Sequence, residues 1–352
     1  MLIIFARMLI QTLNINGITG QQYDSLLAQG WFRSKGVLYK SELVCLEQCV
    51  SSVRHIRYDI AQFFFKKRHR KLLAKNDRLF QVEVSVVNIT EEAERLYNLQ
   101  CHRFKGFIHQ SLTEFIIPWE EDVTIPTLQL EVRDGDKLIA VSILDLGHQS
   151  AASILCVYDP AYGKHSLGIY TMLKEIEYLQ RNGFAHYYPG YVLDRPSSFD
   201  YKLTLGSCSW LGSDYNWYPE LPEHDRISRG MHLEHKMQQL RTRLAKRGVE
   251  GKMIYYPFFT AAYFSDFEND LLRYPCYYQV MDEQMEYAIS YDLEQQDFVI
   301  FKPYPSMIYD AQNLAFSKDY LSSDVYEMRV MQATEIGWLS QLESFVQYAS
   351  AE

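Results

Sequence analysis

No cysteine precedes Cys45, and the six cysteines of the 352-residue chain fall at irregular positions, so the sequence holds no disulfide framework. Nothing in it resembles a cleaved secretory signal. Its apolar opening, MLIIFARMLI, is too short to span a bilayer and reads as a first strand. These absences predict a reducing, cytoplasmic setting without a membrane partner. An excess of positive charge is missing too. The 35 Lys and Arg against 44 Asp and Glu leave a net −9, which excludes nonspecific nucleic-acid binding over the whole surface and demands a local basic patch for any RNA contact. Repeats and low-complexity tracts are absent. So is a metalloprotease helix: His232, Glu234 and His235 lie close together but do not follow HExxH spacing, and they read as helix surface.

What is present suffices for substantial cores, since 47% of the residues are hydrophobic and a chain of this length supports two or three domains. The local basic patch exists between Lys66 and Arg78. Lys66, Lys67, Arg68, Arg70, Lys71 and Lys75 follow three consecutive phenylalanines, so a buried strand or turn can project a basic edge onto RNA phosphates.

Residues 164–202, KHSLGIYTMLKEIEYLQRNGFAHYYPGYVLDRPSSFDYK, carry the most information. Ser166 is placed to cap a helix, Ile169, Met172, Leu173, Ile176 and Leu179 recur at helical spacing, and Gly183 stops it. Phe184 to Leu193 then reads as a strand. Upstream, Glu91 to Gln110 has helical spacing. Leu128 to Arg133 and Leu138 to Asp145 read as strands joined at Asp134-Gly135, with a third strand at Ser153 to Tyr158. Hairpin, strand, helix, strand with a parallel crossover at its end is the core order of an N-acetyltransferase-like (GNAT) fold, an α/β (α+β) architecture with a mixed sheet. Trp210 to Glu223 suggests a capping loop, Asp225 to Arg247 a basic amphipathic helix closed by Gly248, and Glu335 to Tyr348 a terminal helix. Lys252 to Phe264 and Tyr277 to Tyr291 are aromatic-rich segments of mixed polarity.

Leu167, Gly168, Ile169, Tyr170, Leu173 to Tyr178, Gly183, Tyr187, Tyr188, Gly190, Tyr191 and the pair Tyr201-Lys202 follow, in order, the pattern of the C-terminal domain of arginyl-tRNA and leucyl-tRNA protein transferases. The chain resembles that family over roughly residues 20–205. Gly30-Trp31-Phe32-Arg33-Ser34-Lys35-Gly36-Val37-Leu38-Tyr39 is similar to its GFRRSGxxxY opening. Val53 to Leu79 is similar to its VRI…RRNxDL stretch, and AVSILD and VYDP between Leu138 and Pro160 to its AVSVVD and FYDP strands. Residues beyond 206 match nothing in it. The resemblance implies three regions: an N-terminal aminoacyltransferase domain with the basic patch (1–80), a GNAT-like catalytic domain (81–206) and a C-terminal extension of unknown role (207–352).

The implied reaction moves Arg or Leu from charged tRNA to the α-amine of proteins with an acidic N-terminus, marking them for degradation. Such a transfer needs positioning more than covalent machinery, because the ester is already activated and an α-amine is partly neutral at physiological pH. Tyr158, Tyr170, Tyr188, Tyr191 and Tyr201 are candidates to stack on the terminal base and donate to the oxyanion; the alternative is that they are ordinary half-buried sheet and helix residues. Arg54, Arg57 and Lys202 are candidates to pair with the acceptor carboxylate, and Lys174 reads as half of an i,i+3 pair with Glu177. Family members carry two cysteine pairs that in some bind zinc or an iron-sulfur cluster. Only Cys45 and Cys49 stand in this region here, too few for a closed site, so they read as small hydrophobes or a redox-sensitive pair, and no cofactor beyond aminoacyl-tRNA is expected. Two other readings stand beside this one. The first is an acyl-CoA N-acyltransferase, against which the degenerate Lys164-to-Tyr170 loop weighs; the second is a non-catalytic binder of tRNA or peptide.

Overall fold

The structure, a computed structural model, describes residues 9–104, 107–117, 125–264, 270–281, 286–307, 315–316 and 323–338. The first eight residues of the expected opening strand lie outside them, as do 339–348 of the expected terminal helix. In chain order the elements are β1 (Ile10–Asn14), α1 (Gly20–Ala28), β2 (Phe32–Ser34), β3 (Val37–Ser41), β4 (Leu43–Leu46), β5 (Cys49–Asp59), α2 (Lys67–Asn76), β6 (Gln81–Val86), α3 (Glu91–Gln100), β7 (Phe107–Ile108) and α4 (Leu112–Ile116). Then follow β8 (Thr127–Asp134), β9 (Lys137–Leu146), β10 (Ser150–Tyr158), α5 (Leu167–Arg181), β11 (His186–Tyr188), β12 (Tyr191–Leu193), β13 (Ser209–Leu211), β14 (Trp217–Tyr218) and α6 (Arg229–Ala245). The last are β15 (Gly251–Tyr255), α7 (Ala261–Phe264), β16 (Cys276–Met281), β17 (Glu286–Asp292), β18 (Asp297–Pro305), β19 (Ala315–Phe316) and β20 (Met331–Trp338). Among the described residues no helix is long and apolar enough to cross a membrane.

The central sheet is mixed, ordered β14-β13-β5-β11-β10-β9-β8-β6, with β4 and β12 also pairing β5. Its hairpin forms where the Asp134-Gly135 signal places it: Asp134 pairs with Lys137, and Gly135 takes φ +58°. β9 is buried along nearly its whole length because both faces are covered, one by α5 and the other by α3 and α4. That double cover explains its largely apolar run, LIAVSILD, in which only Ser142 and Asp145 are polar. The expected crossover is present, with β10 and β11 running parallel.

Helix α5 buries Met172, Leu173, Ile176 and Leu179, each contributing about 1.5–3 kcal/mol of transfer free energy. Gly183 takes φ +72° just beyond its end. Its start differs from expectation. Ser166 is the N-cap residue but stands in the left-handed region, at φ +50°, and its side chain makes no capping bond. The residue that reads as a hydroxyl cap is instead a sharp corner between a 3₁₀ turn and the helix.

Other expectations need correction for tertiary reasons. Phe184 to Leu193 is two short strands, since Gly190 at φ +89° turns β12 away from β10. Trp210 to Glu223 holds the β13-β14 hairpin, which extends the central sheet beside β5. The basic residues after the phenylalanines lie on a helix, α2, and not on a strand edge. Residues 335–338 of the supposed terminal helix belong to β20, which pairs with β18.

The second large sheet is antiparallel, ordered β15-β16-β17-β18-β20. It shares one apolar core with Leu233, Met237 and Leu240 of α6 and with Leu43, Cys45 and Val50 of the β4-β5 hairpin. Gly230 makes this contact possible: a Cβ there would lie 2.9 Å from the Ser52 nitrogen and the Val50 oxygen, so α6 rests on β5 backbone to backbone.

Candidate active site

Two strands that begin as neighbours part company in the middle of the central sheet. β10 and β11 pair only from Ser150–His186 to Ala152–Tyr188, after which β10 continues alone with β9 and β12 joins β5. A bulge in β10 between Ser153 and Leu155 sits at the divergence. Ala151 and Ala152 are buried, whereas Ser153 through Cys156, beyond the last β11 partner, are half-buried.

The wedge collects polar aromatics and one lysine. Lys202, on the 3₁₀ turn Asp200–Leu205, is 8% exposed. Its Nζ donates to the Tyr191 carbonyl at 2.8 Å and lies 5.3, 5.0 and 6.0 Å from the ring centroids of Tyr191, Phe199 and Tyr201. Gly190 leaves the space it fills, since a Cβ there would be 3.0 Å from Nζ. Among the described residues no carboxylate is bonded to it, and burial alone lowers the ammonium's pKa to about 7. Three ring faces offset part of that cost, each by about 0.5–2 kcal/mol. The Lys202 carbonyl accepts from the Tyr58 hydroxyl at 2.8 Å, which anchors the turn to β5.

Tyr201 is 44% exposed, yet its phenol pKa is raised, first by burial and then by Cys156, Glu175 and Tyr158. A ring that opens to solvent with its hydroxyl turned into the wedge satisfies both observations. Tyr158 ends β10 and is near enough to add to that shift. Tyr191 packs at 5.4 Å on Phe32 and 5.3 Å on Phe199, and burial pushes its phenol up to about 12. Phe199 also walls a small cleft of about 70 Å³ shared with Cys49, Leu193, Arg195 and Ser197.

The structure therefore gathers Tyr158, Tyr191, Tyr201 and Lys202. It places the other candidates elsewhere. Tyr170 is fully buried in α5, its hydroxyl donating to Asp77 at 2.6 Å. Tyr188 is 4% exposed against Trp217, and Arg57 lies over that same indole at 4.3 Å. Arg54 points to the Asp225 carbonyl, toward the start of α6. Lys174 bonds Glu177 at 2.6 Å, the i,i+3 pair expected of it, and reaches Asp77 at 3.4 Å.

Glu175 falls within the family pattern but is given no site role by it. It projects from the buried face of α5, 1% exposed, and accepts from Ser142 at 2.5 Å, Tyr187 at 2.5 Å and Ser153 at 3.4 Å. Burial raises its pKa to about 7 although all three donors oppose the shift. Its signal was legible: an acid at an apolar-face position, three residues after Met172 and one before Ile176.

At the rim, Lys67, Arg68, Arg70, Lys71 and Lys75 are exposed on α2, Lys66 is half-buried at its N-cap, and among the described residues none of the six pairs with a carboxylate. α2 is tied to the wedge's 3₁₀ turn, because Arg68 and His69 both bond the Thr204 carbonyl.

The N-terminal motif supports the wedge from the other side. Phe32 stacks on His55 at 5.0 Å, and Gly30, at φ +84°, is required there because a Cβ would meet the His55 ring at 2.9 Å. Burial, then Lys40 and Arg54, hold His55 neutral, with its pKa down to about 3.

A mixed α/β protein with a parted central sheet, a caged lysine in the gap and an unpaired basic helix at its rim is the class that fold and site define. Residues 6–71 match the description "Arginine-tRNA-protein transferase, N terminus", and residues 75–211 match "Arginine-tRNA-protein transferase, C terminus". The chain belongs to the arginine-tRNA-protein transferase family. It is 31% identical over 182 residues to the aspartate/glutamate leucyltransferase of Leptospira interrogans, covering 49% of this chain and 67% of that one. It is 27% identical over 199 residues to that of Phenylobacterium zucineum, covering 54% and 76%. Among solved structures, the C-terminal domain of a lysylphosphatidylglycerol synthetase from Agrobacterium fabrum overlaps at a TM-score of 0.33 and 17% identity, over 44% of this chain and 50% of that one, too loosely to argue from.

Proposed function

We propose that this protein transfers an aminoacyl residue, leucine or arginine, from charged tRNA to the α-amine of proteins whose first residue is aspartate or glutamate. The observation that carries the acceptor is Lys202: a buried ammonium held by rings and one carbonyl, with no anion bonded to it among the described residues, in a family whose curated relatives are named for aspartate and glutamate. An acidic side chain entering past Phe199 completes its coordination and restores its charge. The α-amine then attacks the ester carbonyl, the new C–N bond replaces the ester C–O bond, and the ribose hydroxyl leaves with a proton. The phenols of Tyr158 and Tyr201 supply donors for the oxyanion. The cations of α2 supply the RNA contact that the chain's net −9 charge otherwise opposes.

The parted strands support the N-acetyltransferase-type architecture for residues 81–206, whose central sheet is completed by β5 from residues 1–80 and by β13-β14 from residues 207–352, the first region also bearing the RNA-facing helix α2. A reducing cytoplasm is the setting this reading requires, and aminoacyl-tRNA is its only co-substrate. The test is incubation with tRNA charged with labelled leucine or arginine and a peptide beginning with Asp or Glu. Label is expected to reach the peptide, and prior ribonuclease treatment of the charged tRNA to prevent it; no transfer from either tRNA would sink the reading.

A further inference from the structure

Phe64 is 71% exposed, an unusual place for a phenylalanine flanked by two others that are half-buried. Its neighbours hold it out. Phe63 packs edge-on against Tyr58 at 5.8 Å and against Phe65 at 5.3 Å, and lies parallel to His69 at 6.4 Å. The Phe63 carbonyl accepts from Gln180 of α5 at 2.9 Å, and the Lys66 amide bonds His69 Nδ1 at 3.3 Å. The backbone on both sides of Phe64 is thus fixed, and its ring cannot turn inward without displacing an anchored neighbour.

Around this ring, within seven residues along the chain, stand Lys67, Arg68, Arg70 and Lys71, all exposed and none paired with a carboxylate among the described residues. An apolar partner surface would leave those cations unmatched. A polyanion that carries flat apolar faces matches both, and single-stranded nucleic acid is that chemistry. α2 also adjoins the turn that bears Tyr201 and Lys202, through the Arg68 and His69 bonds to Thr204, so a strand entering the wedge passes this surface.

Resting on the transferase reading above, we propose that Phe64 is a stacking platform for an unpaired base of the tRNA's single-stranded 3′ end, beside the α2 cations that hold the adjoining phosphates. Stacking on a side chain tolerates any base, so the contact serves every tRNA alike and discriminates the single-stranded end from duplex.

The experiment measures tRNA affinity by fluorescence anisotropy at fixed salt, using the full chain, intact tRNA and the same tRNA trimmed of its unpaired 3′ nucleotides. Phe64→Ala is expected to weaken binding to intact tRNA by roughly 5- to 150-fold. Phe64→Trp should retain it, and trimming should abolish the difference between wild type and Phe64→Ala. Equal affinities for intact tRNA, or the same loss on trimmed tRNA, overturn the stacking role. Failure of the wild-type chain to bind either tRNA overturns the transferase reading itself.

Discussion

The Nζ of Lys202 donates to the carbonyl of Tyr191 at 2.8 Å and lies 5.3 Å from that residue's own ring centroid, so one tyrosine serves the lysine through both backbone and side chain. Replacing the ammonium by an apolar chain of similar length should remove acceptor recognition and leave the fold intact. Lys202→Met is expected to lower kcat/KM for peptides beginning with Asp or Glu by a factor on the order of 30 or more, the effect of truncating one partner of a buried charge pair. Its melting temperature should equal or exceed the wild type's, and its tRNA affinity should not change. Unchanged peptide kinetics would remove Lys202 from the acceptor site.

The same lysine makes acceptor binding pH-dependent. Only the protonated form pairs with a carboxylate, and its pKa is about 7, so KM for an acidic peptide should rise above neutrality, approaching tenfold per pH unit. In the free protein the sign is reversed for stability. Because burial depresses the folded pKa from 10.5 to about 7, the unfolded chain binds the proton across that window and the folded chain does not, so stability rises with pH from about 7 to 10.5. Denaturant titrations at several pH values, on wild type and Lys202→Met, separate this contribution.

Glu175 contributes in the opposite direction. Its folded pKa is raised from 4.5 to about 7, so the folded chain retains a proton that the unfolded chain has lost, and stability falls as pH climbs through that range. The loss is on the order of 3 kcal/mol when complete. Glu175→Gln should flatten the profile between pH 4.5 and 7 and match or exceed the wild type at pH 8. A steeper profile in the variant would show that the carboxyl is ionised and held by its three donors.

Arg33 forms a two-pronged pair with Asp145, at 2.5 and 3.0 Å, the two residues being 4% and 0% exposed. Tyr23 and Thr127 complete the carboxylate's bonds, at 3.3 and 2.7 Å. Arg33→Ala is expected to cost about 3–5 kcal/mol by leaving an uncompensated buried charge. Asp145→Ala added to it should cost little more, and a double-mutant cycle in urea reads the coupling directly.

Removing cations from α2 should act on RNA alone. The triple change Lys67→Ala, Arg70→Ala, Lys71→Ala is expected to weaken tRNA binding and to lower the slope of log affinity against log salt by about 0.7–0.9 for each phosphate that is no longer neutralised. Peptide KM should stay unchanged. A salt slope equal to the wild type's would assign these residues to an ordinary solvated face.

Local order was legible from residue pattern alone: the apolar stripe of α5, the Gly135 hairpin and the stop at Gly183 all repeat in the structure, because each depends on neighbours within about a turn of chain; the helix expected over Asp225 to Arg247 forms over Arg229–Ala245, with Ile227 and Met231 exposed. The family motifs, too, could be read directly. Other features come from residues far apart. β10 leaves β11 because Gly190 sends β12 to β5. Lys202 becomes a caged, half-discharged cation and Tyr170 a buried strut to Asp77 because other elements cover them. Glu175 turns from one acid among many into a shielded carboxyl beneath a helix. Sequence determined which segments would be helix, hairpin and basic patch, since periodicity and turn chemistry are short-range. Only the tertiary structure decided which tyrosines and charges share a wedge, since desolvation depends on what packs above a side chain, however distant it is along the chain.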